Sequence, residues 1–350
     1  MSENSITTLS AFLNESGAEF RVFDMGRRVT KVSKNVFSQF ENAQLAYPSP
    51  FQRTAFFGII FWHPQFTDAH YVWFLKFPLD EQGMLIQATR DEFLVMLLDR
   101  VGECLLAAAD GKTIEGALKD SPYSYTPRED KMAAFNAQAS SALKLSPSSY
   151  YADAKAYFSG EKSWDSWQTL AMQGVADVAI KTDDKLLAKD IIKALPQLPP
   201  PPFQMLASFM ENAQPSHALV EALQWRLKSE LEQVMPNTAE VTACIRAVSN
   251  STSKDITESM IQAVLVNECS NNIEVLAVIA GRCWERLAEA ELCQSYVERL
   301  ALNDAGYDGF SHILADLMFI PELRIAIMSA LRNPQRSEAL SKQVGQMFGA

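Results

Sequence analysis

From about residue 160 onward the helical patterns come in pairs at a steady period, and no other feature narrows the possible folds as far. The pairs read 163–180 with 183–195, 200–213 with 215–234, 238–249 with 254–268, 272–289 with 291–302, and 307–319 with 321–332. Their starts, near Ser163, Pro200, Thr238, Asn272 and Tyr307, lie 37, 38, 34 and 35 residues apart. A period of this size, two helices to the unit, is the pattern of a HEAT-like α-solenoid. No residue-level consensus recurs, and the tetratricopeptide spacing of Trp, Leu-Gly and Tyr is absent. An irregular helical bundle with accidental spacing is the alternative. The run "LPQLPPPPF" contains a PxxP match. It reads first as a stop, spacer and start between helices, since proline is tolerated in a first turn.

The N-terminal part carries a different period. In "FFGIIFWHPQFTDAHYVWFLKF", residues 56–77, two aromatic and β-branched runs flank a Pro/Asp turn region. Eight apolar residues before "HPQFTDAH" are too few for a spanning helix, which needs about 20. The pattern predicts a β-hairpin. Ala55, Phe57, Ile59 and Phe61 share one face, and Phe56, Ile60 and Trp62 the other, so the first strand is expected to be central and covered on both sides. Around it, residues 5–16 read as an amphipathic helix and "AEFRVFDMG" as a strand. "SKNVFSQFENA" reads as a helix capped by Ser33, "MLIQA" as a short strand, and a longer helix has Asp91 and Glu92 at its front. The expected architecture is an α+β domain over residues 1–110, an antiparallel sheet of about four strands with helices. A linker over 111–130 and an α-solenoid-like helical domain over 131–350 complete it.

The formal charge of −11 is spread over both parts. Neither is a basic module, so nucleic acid and anionic membrane are not expected as main partners. The opening "MSENSITTLSAFLN" shows no positive n-region and no apolar run of a secretory signal. Five cysteines, Cys104, Cys244, Cys269, Cys283 and Cys293, show no CxxC pairing. They read as buried free thiols of a reducing cytoplasm rather than disulfides or zinc ligands.

The segments "FRVFDMGRRV", "YPSPFQRTAFFGIIFW" and "VWFLKFPLDEQGMLIQATRDEF" resemble a bacterial protein family of unknown function. The resemblance covers most of the N-terminal part. It implies a bacterial, cytoplasmic setting and brings no activity or cofactor.

The familiar catalytic strings are missing: there is no HExxH, GxSxG, or GxGxxG after a strand. "ADGKT" ends like a phosphate loop, but Leu106 stands where its first glycine is needed, five residues before Gly111. Four candidate groups remain. Arg27, Arg28, Lys31 and Lys34 lie between a strand and a helix start, where forked donors and a helix dipole could hold an anion. The alternative is a surface loop pairing with acids such as Asp24. Asp80, Glu81, Arg90, Asp91 and Glu92 could hold a cation or act as an acid–base pair; the favoured reading is a polar turn and a dipole-matched helix start, which needs no function. His63, His70 and Asp68 could line a metal hairpin, or the histidines could bond loop backbone. Trp164 and Trp167, three apart on a helix, are either core at a repeat interface or a contact surface.

The expected function is a non-enzymatic scaffold or adaptor that binds a protein partner through its helical repeat surface, without cofactor or metal. An enzyme or anion-binding domain, with Arg27 or Arg28 converging on Asp80, Glu81 or His63, is the alternative. An RNA-binding solenoid would need a basic stripe along one helical face.

Overall fold

The computed structural model describes residues 6–65, 70–101, 118, 120–347 and 349. It divides into two compact units, Met1–Phe135 with Phe319–Pro321, and Asn136–Met318 with Glu322–Ala350.

In the first unit α1 (Leu9–Glu15) leads into β1 (Glu19–Asp24), β2 (Thr30–Val32), α2 (Lys34–Glu41), β3 (Thr54–Trp62), β4 (Tyr71–Pro78) and α3 (Gln87–Val101). The four strands form one antiparallel sheet in the order β2-β1-β3-β4. β3 is interior, and the two faces read from its alternation are both covered. Ala55, Phe57, Ile59 and Phe61 join Phe12, Phe20, Phe37, Phe40 and Leu97 in one core. On the opposite face the register aligns Phe23, Gly58 and Phe74 across three strands. There Phe135, on α4 (Glu129–Ala142), packs edge-on against Phe23 and Phe74 at 5.4 and 5.1 Å. Ser33 caps α2 as expected, its hydroxyl accepting from the Val36 N–H at 3.2 Å.

Three local readings are corrected. The basic run after β1 is not a plain loop, because Thr30–Val32 returns as a short strand against β1. "MLIQA" makes only a single bridge, Leu79 to Leu85, and the helix starts at Gln87, so Asp91 and Glu92 lie a turn inside it. Part of the 111–130 segment is sheet edge: Lys76 N–H donates to Tyr123 O at 2.8 Å and Tyr125 N–H to Phe74 O at 3.2 Å. Residues 102–117 and 119, with Cys104, Leu106 and Gly111 among them, lie outside the described residues, as does Asp68.

The second unit is helical throughout its described residues. After α5 (Tyr151–Phe158), pairs follow one another: α6 (Met172–Ala179) with α7 (Lys185–Ala194), α8 (Pro200–Met210) with α9 (His217–Leu231), and α10 (Thr238–Val248) with α11 (Lys254–Val266). Then come α12 (Ile273–Arg282) with α13 (Ala290–Leu300), α14 (Gly306–Met318) with α15 (Arg324–Arg332), and a final α16 (Glu338–Met347). The first helix of each pair packs on the first helix of the next, and each second helix on the next second helix, which gives two layers. The boundaries differ from the expected ones at three places. Trp164–Thr169, Trp284–Ala288 and Pro321–Leu323 are 3-10 turns rather than parts of long helices.

The period is written into the hydrogen bonds. Orphan carbonyls at the ends of α7, α9 and α11 find a donor one repeat onward, and the one after α13 finds a donor on the final helix. Leu195 O accepts from Arg226, Leu231 O from Asn267 at 3.3 Å, Leu265 O from Arg299 at 2.7 Å, and Ala301 O from Gln343 at 3.2 Å. Side-chain caps set three of the helix starts: Asp184 accepts from Leu186 and Leu187 N–H ahead of α7, Asn237 from Ala239 N–H ahead of α10 and Asn272 from Glu274 N–H ahead of α12.

Candidate docking surface

The residues singled out in the first unit are placed in separate structural roles. Arg27 and Arg28 are buried, 1% and 5% exposed. Arg27 Nε donates to Pro50 O at 2.8 Å, and Arg27 O accepts from Lys131 at 3.3 Å. Lys31 is exposed. Lys34 lies over the Phe20 ring at 4.4 Å and pairs with Glu19 at 3.4 Å. The four cations therefore do not share one surface. Asp24 accepts from Gly26 N–H at 2.6 Å and from the Ser49 hydroxyl. Burial raises its pKa, with those bonds opposing, and burial together with Asp24's charge pushes the Tyr47 and Tyr125 phenols up.

The carboxylate group is likewise dispersed. Asp80 closes its own turn by accepting from Gln82 and Met84 N–H at 2.9 and 2.8 Å. Arg90 pairs with Asp91 at 2.6 Å, and Glu92 accepts from Tyr123 OH at 2.9 Å. His63 follows the far end of β3, whereas Arg27 follows the end of β1 that pairs with Phe57. A strand of that length separates them by roughly 25 Å, so an active site joining the two is not assembled. His63 Nδ1 accepts from Gln65 N–H at 3.2 Å, the loop-backbone role. Among the described residues no group of three or more His, Cys, Asp or Glu could hold a metal ion. Cys244, Cys283 and Cys293 are buried free thiols, with burial raising Cys244 to about 12 and Cys293 to about 11.

Trp164 and Trp167 are both half-buried in the 3-10 turn. Trp164 packs edge-on to Tyr157 at 5.5 Å, and its indole N–H donates to Gln197 Oε1 at 3.3 Å.

A row of exposed apolar side chains runs along the second layer of helices. Trp225 is 65% exposed, Val266 68% and Leu302 52%. Each marks a boundary of one of three adjoining hollows. The first, about 440 Å³, lies between α7 and α9 and is lined by Ile192, Leu195, Leu198 and Trp225. The second, about 560 Å³, lies between α9 and α11 and runs from Trp225 past Leu231 and Met260 to Val266. The third, about 400 Å³, lies between α11 and α13 and runs from Val266 to Leu302. Because Trp225 lines the first two and Val266 the last two, neighbouring hollows share a wall and follow one another along the second layer as a trough.

The floor of this trough is stiff. Arg226 donates to the Leu195 and Leu198 carbonyls, pairs with the buried Glu240 at 2.8 Å and lies 4.0 Å over the Phe203 ring. Apolar walls on a fixed floor can bury the side chains of a partner. The lining bears five carboxylates, Glu221, Glu230, Glu232, Glu240 and Glu298, against three cations, Arg226, Lys228 and Arg299. The basic stripe that RNA binding would need is not present along it.

Sequence reasoning passed over Trp225, although a signal was there. The buried stripe of α9 is Leu219, Val220, Leu223 and Leu227. Two residues beyond Leu223 is 200° around the helix, so an indole at 225 faces away from the core.

A family model described as "Protein of unknown function (DUF3549)" matches residues 4–348. No curated protein and no solved structure matches the chain significantly.

Proposed function

We propose a binding role for this chain, which belongs to the DUF3549 family: it is a scaffold or adaptor that takes up a protein partner on its helical, HEAT-like repeat surface. The observation that carries this reading is the trough shared by Trp225, Val266 and Leu302 on successive second-layer helices. Large apolar side chains exposed along a connected groove, with charged groups at its rim, are the features of an interaction surface. A two-layer helical array suits the task, because each added pair extends the surface without rebuilding the core. No described helix is long and apolar enough to cross a membrane, and free buried thiols fit a reducing compartment, so the proposed setting is the cytoplasm.

The test is affinity capture of the full chain followed by cross-linking mass spectrometry, beside a Trp225→Ser variant. Lys228, which lines the trough, provides a reactive amine. A specific partner cross-linked to Lys228 and lost from the variant is the expected result. Cross-links scattered over the surface, the same in both proteins, would overturn the proposal.

A further inference from the structure

We propose that the occupant of the trough is a basic amphipathic α-helix lying across the second-layer helices, an inference that rests on the docking role above. Two features on the surface select this partner. The first is spacing. Helices packed side by side stand about 8–10 Å apart, so successive hollows between them recur at nearly that distance. A helix rises about 1.5 Å per residue, which puts side chains at i and i+7 on one face about 10.5 Å apart. An extended segment offers same-face positions at about 6.6 or 13 Å and fits this repeat poorly. Three hollows therefore accept three apolar anchors at i, i+7 and i+14, a helix of about four turns. Trp225 and Val266 form the ridges between those anchors.

The second feature is charge. The Arg226–Glu240 pair neutralises itself at the floor. At the rim, Glu230 accepts from the Asn237 N–H at 2.6 Å, and Glu298 from Gln294 Nε2 at 2.9 Å and Ser337 N–H at 3.2 Å. Those bonds bring no cation to either carboxylate. Glu221 pairs with His217 at 3.5 Å, and Glu232 stands 4.0 Å from Lys228. Lysines or arginines flanking the apolar anchors would meet this rim, and acidic side chains would be repelled.

The experiment uses the full chain and labelled 18-residue peptides read by fluorescence anisotropy. The probe is an alanine/lysine peptide with leucines at i, i+7 and i+14. One control moves the leucines to i, i+5 and i+10, which scatters them around the helix, and another replaces every lysine by glutamate. The heptad lysine peptide is expected to bind at least about tenfold more tightly than either control. Trp225→Ser should weaken it by roughly tenfold or more while leaving the thermal melt unchanged, since that side chain is exposed. Equal binding of the three peptides up to roughly millimolar concentration, or binding indifferent to Trp225→Ser, would overturn the assignment. So would a dimer in light scattering that Trp225→Ser dissociates, because a second copy would then be the occupant. If cross-links still gather on the second layer while the peptides show no preference, the docking role stands and the basic helix falls. If the cross-links scatter too, both fall.

Discussion

At the scale of single residues, the most consequential group of the first unit is a carboxylate that reaches from one helix to the start of another. Glu41, on α2 and 4% exposed, accepts from Leu9 N–H at 2.8 Å and from the backbone and hydroxyl of Ser10. It thus satisfies orphan donors at the first turn of α1. Burial outweighs these bonds and lifts its pKa from 4.5 to about 7. Between those values the folded chain holds a proton that the unfolded chain releases, so this contribution to stability is complete below about pH 4.5 and lost as pH rises through 7. Its size is on the order of 3 kcal/mol. Glu41→Gln should remove it: in urea titrations at pH 5 and pH 8, wild type should lose more stability over the interval than the variant does. Asp24, whose pKa is also raised, is present in both proteins and cancels. Parallel losses would refute the assignment. Nothing in "SQFENA" announces this role, because the partner backbone lies 32 residues away.

At the scale of elements, the hairpin was legible because strand alternation has a period of two and both of its faces are apolar. The short β2 was not, since Lys31 and Arg28 dilute any alternation and a three-residue strand is shorter than the pattern needed to see it. Arg27 and Arg28 misled for a related reason: composition reports charge and not burial, and the Arg27 side chain is bound to Pro50 O, 23 residues away. Gly58 shows how register makes a residue necessary. A Cβ there would stand 2.6 Å from the Phe135 ring, which is itself wedged between Phe23 and Phe74. Gly58→Ala should cost about 1–3 kcal/mol by overpacking. Phe135→Leu in the same chain should return part of that loss, although alone it opens a void and destabilises. Chemical denaturation of the two single variants and the double variant measures the coupling. Additive losses would show that the clash is relieved elsewhere.

At the scale of the whole molecule, the helix-pair period was legible because each unit must bury the same stripe against its neighbours, and so each repeats similar apolar spacing. The trough was less legible, because exposure depends on how successive helices stack rather than on any one of them. The same stacking creates a ladder of charge. Glu211, at the end of α8 and 3% exposed, accepts from Arg246 Nε at 2.7 Å and pairs with Arg282 Nε at 2.8 Å. These three positions are 35 and 36 residues apart, so one carboxylate bridges equivalent places in three consecutive pairs. Removing it leaves two partly buried guanidiniums facing each other, and Glu211→Ala should cost about 3 kcal/mol or more. Glu211→Gln keeps the shape and an acceptor and should cost less. In an array whose pairs touch only their neighbours, the damage should also be local. Hydrogen exchange of Glu211→Ala should therefore quicken in α8, α10 and α12 and change least in α16, where no bond of the ladder reaches. A uniform rise through every helix would instead mean that the layers open as one cooperative block. In that case the nearest-neighbour account of the array would be wrong, even with each helix placed as it is.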